Sequence, residues 1–319
     1  MAKTVKTAKP AKLTLDEALR RIADMDIPLP AEAIYRLSDL NADDVKQLQG
    51  AWGGLPVERR RQLIVRLTEV SETDFDTDFT ALARLALTDL DDQVRESAVE
   101  ATWADETTDM ATRLIAMASG DLAAPVRAAA VGALGRYILL DELGKFNADV
   151  GRRAQNMALK LHQDTAQDVN VRRRALEAIA NCSREGVENL IEAAYADKNA
   201  DMRASAIYAM GRSCDSRWEA IVLRELTNKD PQIRFEATRT AGELEMRKAT
   251  PQLGKALHDD DREIMEMAVW SLGEIGGDEA RRLLDEMMEE ADHRGDDSLA
   301  EAIDEAMQSA SLVGEDLVI

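Results

Sequence analysis

An apolar residue followed by an arginine and then by alanines recurs along the chain, and this repeat constrains the fold more than any other feature. Successive arginines of the repeat are separated by 32, 45, 31 and 31 residues, and Met265 takes the equivalent place 31 residues further on. The five reference arginines are Arg95, Arg127, Arg172, Arg203 and Arg234. A period of roughly 20 to 50 residues is typical of solenoids, in which each repeat is one supersecondary unit. The longer spacing predicts an insertion near residues 136–147.

The positions around the reference residue hold the same residue types in every unit. Counting from that residue, position −1 is apolar in all six units, position +3 is always alanine, and position +4 is apolar in five. Such positions lie on one face of an α-helix, so each unit is predicted to contain an amphipathic helix. The invariant alanine predicts that another helix passes close to this face.

Residues that begin and end helices flank this pattern. At position −4, five units carry an Asp or Asn, whose side chain can accept a hydrogen bond from a first-turn N–H group and so predicts an N-cap. These residues are Asp91, Asp168, Asn199, Asp230 and Asp261. At position +8, four units carry a glycine, which indicates either the end of a helix or a close backbone approach. These are Gly135, Gly211, Gly242 and Gly273.

A second amphipathic stretch separates successive reference helices, for example in residues 188–196 and 250–257. Aromatic residues make up only 4% of the chain, and its 17 glycines and 7 prolines are too few for the many turns of a sandwich or barrel. Each unit is therefore predicted to be a helix–turn–helix pair. Because neither helix can bury its apolar face alone, the pairs must stack. The predicted fold class is all-α, an α-solenoid.

The segments from Asp89 to Ala98 and from Val126 to Gly135 resemble HEAT repeats of the short type first described in phycobilisome lyases. The resemblance extends over residues 74–277 and implies a solenoid of stacked HEAT-like helix pairs. HEAT scaffolds serve protein binding, DNA repair, lyases and a metal-dependent hydroxylase. The function must therefore be inferred from particular sites.

The predicted domain organisation places the repeats between two helical end segments. In chain order it comprises a disordered basic tail at 1–12, an N-terminal helical segment at 13–72, six HEAT-like repeats at 73–277, an acidic capping helix pair at 278–311 and an apolar C-terminal tail at 312–319. The run from Glu58 to Arg61 is predicted to be a solvated first turn of a helix.

Charge and targeting signals limit the partners. The formal net charge is −21, and residues 257–319 contain 20 acidic residues against four arginines and no lysine. This charge disfavours nucleic-acid binding and indicates either solubility or a basic partner. The sequence shows no transmembrane stretch and no secretory signal, so a cytoplasmic location and no membrane partner are expected.

No catalytic motif is recognisable, so no catalytic residue, metal or cofactor is expected. The chain has three histidines, and none is followed by glutamate, whereas HEAT-type hydroxylases hold two irons with His-Glu pairs. A lyase or an oxidoreductase related to the HEAT-type bilin lyases or metal-dependent hydroxylases is the alternative to a non-enzymatic protein.

The reference arginines are predicted to form a structural ladder rather than a ligand site, because their spacing equals the period of the repeat. HEAT solenoids use such an arginine to bond carboxylates and carbonyls of the neighbouring unit. The expected acceptors are Asp89, Asp121, Asp197 and Asp259.

Partner binding is predicted on the face opposite the alanines, at positions +1, +5 and +9. By resemblance, this second helix of each pair lines the concave side of the solenoid. The face carries aromatic and arginine side chains, which often anchor interfaces. The candidates are Tyr208, Arg212, Phe235, Arg239 and Trp270. The leading hypothesis is a scaffold that binds a protein or peptide there, including a basic one; the sequence leaves its oligomeric state open.

Overall fold

A computed structural model of the chain describes residues 13–312, and all regular secondary structure in that range is helical. The predictions for the tails at 1–12 and 312–319 concern residues that lie outside the described range, apart from the backbone of residue 312. The α-helices are Leu15–Ala23 (α1), Ala31–Tyr35 (α2), Ala42–Trp52 (α3), Val57–Thr73 (α4), Thr80–Ala86 (α5), Asp92–Glu100 (α6), Thr108–Gly120 (α7), Ala124–Glu142 (α8), Ala148–Gln163 (α9), Val169–Ile179 (α10), Val187–Tyr195 (α11), Ala200–Arg212 (α12), Glu219–Glu225 (α13), Pro231–Glu243 (α14), Thr250–Ala256 (α15), Arg262–Ile275 (α16), Gly277–Arg294 (α17) and Asp297–Leu312 (α18).

The described helices are stacked in two compact units, and the boundary between the units lies between residues 133 and 134. In the second unit, α10, α12, α14, α16 and α18 form one layer in which each helix packs on the next. The helices α9, α11, α13, α15 and α17 each pack on their partner in that layer. In the first unit, α3 packs on α5, α4 on α6 and α5 on α6. The fold is an all-α solenoid, which confirms the predicted class.

The predicted N-caps are confirmed. The Asp91 side chain accepts from the Val94 N–H, and that of Asn199 accepts from Met202. The other three caps bind an N–H group of the first turn in the same way. These helices therefore begin where a local side chain replaces a missing intrahelical acceptor.

The insertion lengthens a helix rather than forming a separate element. Helix α8 continues to Glu142, and Gly144 then turns the chain with a φ of +68°. The Tyr137 ring is fully buried and lies 5.3 Å from that of Phe146, centroid to centroid. The extra residues thus add an aromatic contact to the junction of α8 and α9.

Small residues let successive helices of the layer in the second unit approach closely. The four alanines at position +3 in this unit, Ala175, Ala206, Ala237 and Ala268, are fully buried. A Cβ atom added to Gly242 would lie 2.8 Å from Cα of Ser271, and one added to Gly273 would lie 2.9 Å from Cα of Ala306. Of the two predicted roles for these glycines, close backbone approach is therefore confirmed, and both residues lie in the last turns of their helices.

The run from Glu58 to Arg61 is the first turn of α4, as predicted, but the prediction that its arginines are solvated is wrong. Arg59 is only 3% exposed and donates to the backbone carbonyls of Asp24 and Ile27. The Arg60 guanidinium donates to both carboxylate oxygens of Asp89, over 2.8 and 3.1 Å. Both arginines are bound within the protein, because their acceptors belong to turns that are distant in sequence but adjacent in the fold.

Candidate partner-binding face

Residues at the same repeat position on neighbouring helices lie next to each other in the second unit. Tyr208 on α12 and Arg239 on α14 both occupy position +5, and the Arg239 guanidinium carbon lies 3.8 Å from the centroid of the Tyr208 ring. Arg212, at position +9, donates from Nε to Asn181 Oδ1 over 3.0 Å and from Nη1 to Glu243 Oε1 over 3.4 Å. Both of its acceptors are also at position +9, so the face consists of rows that run across the helices.

The candidate aromatic residues differ in exposure. Tyr208 and Phe235 are half-buried, whereas Trp270 on α16 is 39% exposed. No ring-to-ring contact joins these three side chains, all of which lie in the described range. The structure therefore brings Tyr208 and Arg239 together and leaves Trp270 facing solvent at the next +5 position.

The two candidate arginines are paired with acidic side chains. Arg239 Nη2 lies 3.1 Å from Glu236 Oε2, and its Nε lies 3.9 Å from Glu243 Oε1. Arg212 shares Glu243 with it. The positive charges of this face are therefore compensated before any partner arrives.

Glu236 is a member of this face that the sequence analysis did not identify. Burial raises its pKa to about 7; the nearby Glu177 and Glu243 also raise it, while Arg239 and Arg174 lower it. Its Oε2 atom is buried without a hydrogen-bond donor, and Nε and Nη2 of Arg239 lack acceptors. Glu236 stands at position +2, beside the predicted rows, so the chosen positions +1, +5 and +9 omitted it.

A hydrogen-bonded network connects this face to α10. Ser205 donates its hydroxyl to Glu177 Oε1 over 2.5 Å and accepts from Nε of Arg173. Arg174 donates to the other Glu177 oxygen over 2.8 Å. Because Glu177 and Ser205 are both buried, the network fixes the position of α12 along the axis of α10.

The reference arginines lie against the turns between paired helices. Arg95 donates to both carboxylate oxygens of Asp121, each over 2.8 Å, and Arg234 does the same to Asp259 over 2.9 Å. These hydrogen bonds hold the pKa of each aspartate below its usual value. Two of the four expected carboxylates therefore lie against a reference arginine of the preceding unit.

The other contacts of the ladder are mainly to backbone carbonyls. Arg95, Arg127, Arg203 and Arg234 each donate from Nη1 to the carbonyls six and five residues before them. In this way the carbonyls of Asp89 and Asp197 are bound, whereas Arg172 donates from Nε to the carbonyl of His162.

A further rung of the ladder precedes those that the sequence analysis identified. Arg60 binds the Asp89 carboxylate and the carbonyl five residues before itself, Leu55, over 2.6 Å. Counted from Arg60, positions +3, +4 and +7 are Leu63, Ile64 and Leu67, and all three are buried. This apolar spacing could have identified Arg60 as a reference arginine from the sequence, although a leucine at position +3 replaces the alanine of the later units.

The described residues contain no group of three or more His, Cys, Asp and Glu side chains that could hold a metal ion. His162 is buried and donates from Nδ1 to the Arg172 carbonyl over 3.0 Å, and burial lowers its pKa. Both cysteines are free, Cys182 buried and Cys214 exposed. Helices of residues 13–312 are all too short or too polar to cross a membrane.

Three solved structures that are similar to this chain have low sequence identity and low TM-scores. YibA of Escherichia coli is 17% identical, with 97% of this chain and 99% of that chain covered and a TM-score of 0.41. Human deoxyhypusine hydroxylase is 14% identical, with coverages of 93% and 96% and a TM-score of 0.36. Importin beta is 13% identical, with coverages of 94% and 46% and a TM-score of 0.44.

Comparison with the curated proteins gives no match. A family model described as HEAT repeats matches residues 220–304, which extend from α13 into α18. The chain therefore carries HEAT repeats in residues 220–304.

Proposed function

We propose that this chain is a non-enzymatic scaffold that binds a segment of another protein on the face formed by α12, α14 and α16. The observation that carries the proposal is the exposed Trp270, which follows the Tyr208–Arg239 pair at the same repeat position on the next helix. Tryptophan, tyrosine and arginine are enriched among the residues that anchor interfaces. The narrower likeness to phycobilisome-lyase repeats and the cytoplasmic location stay predictions.

Packing supports a concave position for this face within the second unit. Helices α12, α14, α16 and α18 pack extensively on one another, and α14 approaches α16 closely enough to require Gly242. The helices α11, α13 and α15 contact each other much less. In a curved stack, the layer whose helices lie closer together is the inner layer.

The charges around Trp270 favour a basic partner. Glu266, Trp270 and Glu274 are spaced four residues apart on α16 and therefore lie on one side of the helix. Glu266 receives a hydrogen bond from Arg262, while Glu274 has no ion-pair partner among the described residues. A lysine or arginine of the partner can stack on the indole ring while its charge is shared by the two carboxylates.

The proposal is tested by selecting peptides from a random phage-displayed library on the wild-type protein and measuring their affinity by fluorescence anisotropy. We expect basic peptides with apolar residues, and at least tenfold weaker binding to W270A and to an E266K/E274K variant. The matched control is W103A, because Trp103 is 43% exposed in the other unit. Peptides that bind W270A as tightly as the wild type would contradict the proposal, provided that circular dichroism shows the variant to be folded.

A further inference from the structure

We propose that a cleft in the first unit binds an amphipathic peptide segment of a partner protein, with a lysine or arginine of that segment paired to Glu96. The cleft has a volume of about 940 Å³. Its floor is α4, and its walls are α6 and the connection between α1 and α2. Its lining includes Met25, Ile27, Val65 and Glu96. None of these residues belongs to the face proposed above, so the two sites are independent.

The walls of the cleft are held in place in the absence of a ligand. Arg59 of α4 is buried and donates to the carbonyls of Asp24 and Ile27, which fixes the connection between α1 and α2 against α4. Arg61 of α4 binds both carboxylate oxygens of Asp91, the N-cap of α6. A cleft whose two walls are tied to its floor is preformed, and a preformed cleft reduces the entropic cost of binding.

Apolar side chains are exposed within the cleft. Met25, Ile27 and Val65 all line it, and each is exposed to solvent. Pro28 and Leu29 also line the cleft, so all but one of the residues that the α1–α2 connection contributes to it are apolar. An unbranched methionine at such a site adapts its shape to different apolar partners. This surface fits apolar side chains that a helical or extended peptide presents on one face.

The uncompensated charge of the cleft is negative. Its arginines are engaged, Arg59 with carbonyls, Arg61 with Asp91 and Arg66 with Glu69. Glu96 is half-buried and has no hydrogen-bond or ion-pair partner among the described residues. A carboxylate that is partly removed from water without a partner favours a cation placed beside it.

Burial raises the pKa of Glu96, and the neighbouring Glu100 and Asp92 raise it further. A bound cation would reverse this effect by stabilising the charged form. The occupant that matches both the apolar wall and this carboxylate is therefore a segment with apolar side chains on either side of one basic residue. An acidic or purely apolar segment leaves the Glu96 charge without a partner.

The repeat register places the cleft at helix positions equivalent to those of the face in the second unit. Glu96 is at position +1 from Arg95, and Val65 is at position +5 from Arg60. These are the positions that leave Trp270 and Phe235 accessible in the second unit. The first unit therefore presents its own open helix face, which the α1–α2 connection converts into a cleft.

The test uses the full chain and a fluorescein-labelled amphipathic peptide of about four helical turns, with leucines on one face and a lysine between them. We expect saturable binding by fluorescence anisotropy, at least tenfold weaker for E96K and for V65D. The matched control is E100K, because Glu100 is exposed one turn later on α6 and does not line the cleft. A peptide with glutamate in place of lysine is expected to bind E96K better than the wild type.

Three outcomes would overturn the proposal. The first is the absence of binding to the wild-type chain. The second is equal weakening in E96K and E100K, which would indicate non-specific attraction to an acidic surface. The third is binding only after Lys3, Lys6 and Lys9 are replaced by glutamate, which would show that the chain's own first residues occupy the cleft. W270A serves as a separate control and is expected to bind this peptide like the wild type.

Discussion

Glu236 illustrates how a single side chain acquires properties that its sequence neighbours do not suggest. The charged groups that act on its carboxyl group come from two helices, namely Glu177 and Arg174 of α10 and Arg239 and Glu243 of α14. Burial raises its pKa to about 7, above the ordinary value of 4.5. The folded chain therefore binds a proton at this group at a pH where the unfolded chain has released it.

The raised pKa predicts the effect of the substitution E236Q on stability. Above pH 7 the carboxyl group is charged in both states, and its burial opposes folding by up to about 3 kcal/mol. Between pH 7 and 4.5 the folded state takes up the proton and the penalty disappears. E236Q is therefore expected to raise the free energy of unfolding at pH 8 and to have little effect near pH 4.5, as measured by urea denaturation at both pH values.

The matched control for this prediction is E301Q, because Glu301 is exposed on α18 and forms no hydrogen bond or ion pair with a described residue. E301Q is expected to change the stability by less than about 0.5 kcal/mol at either pH. A destabilising effect of E236Q at pH 8 would mean that the ion pair with Arg239 outweighs the cost of burial.

At the scale of helices, the spacing between neighbours in the second unit depends on small residues and buried hydroxyl groups. Thr240 donates to the carbonyl of Ile207 over 2.9 Å, and Ser271 donates to that of Thr238 over 2.8 Å. Each bond joins a helix to the preceding helix of the layer. A larger helix separation would leave the Thr240 hydroxyl buried and unpaired, whereas Ser271 also reaches the Met267 carbonyl of its own helix over 2.8 Å.

This close packing predicts opposite effects for two glycine-to-alanine substitutions. In G242A the new methyl group would meet the backbone of Ser271 at 2.8 Å, so we expect a loss of about 2 kcal/mol or more in the free energy of unfolding. In G50A, within α3, nothing lies within 4 Å of the new atom, and alanine should stabilise the helix by about 0.5–1 kcal/mol.

Both substitutions are measured by urea denaturation followed by circular dichroism. The comparison separates helix propensity, which acts in both variants, from steric overlap, which acts only in G242A. A neutral or stabilising G242A would show that α14 and α16 separate without loss, contrary to the contacts of Thr240 and Ser271.

At the scale of the whole molecule, the dominant quantity is a formal net charge of −21. Much of it lies on α17 and α18, where Asp285 and Glu289 are exposed like charges four residues apart. Like charges at this spacing oppose a helix, and a large net charge opposes the compact state through repulsion. At 0.1 M salt, repulsion between exposed charges that are more than about 10 Å apart is largely screened.

An increase in sodium chloride from about 0.02 M to 0.5 M is therefore expected to raise the melting temperature by a few degrees. The variant D285K, which replaces a repulsive pair by an attractive one, should show a smaller response. Differential scanning calorimetry provides the measurement. A melting temperature that does not change or falls with salt would show that the ion pairs of the ladder contribute more than the net repulsion.

The local features of the repeats were predictable because each depends on residues close in the chain. The N-cap of α14 needs only Asp230 and the N–H group of Gln232, and the burial of Ala237 follows from helical periodicity. The prediction of solvated arginines in the run from Glu58 to Arg61 is wrong for the opposite reason. Arg59 and Arg60 bind acceptors 29 to 35 residues away, which local periodicity does not locate.

The repeat period, helix starts and apolar faces of this protein are thus properties of its sequence. The tertiary structure decided which polar side chains meet across helices, as in the Arg239–Tyr208 stack and the charged groups around Glu236. It also decided that the α1–α2 connection borders a cleft over α4. The physical reason is that the offset between packed helices sets these contacts, and that offset depends on side-chain volumes and hydrogen bonds between residues about one repeat apart.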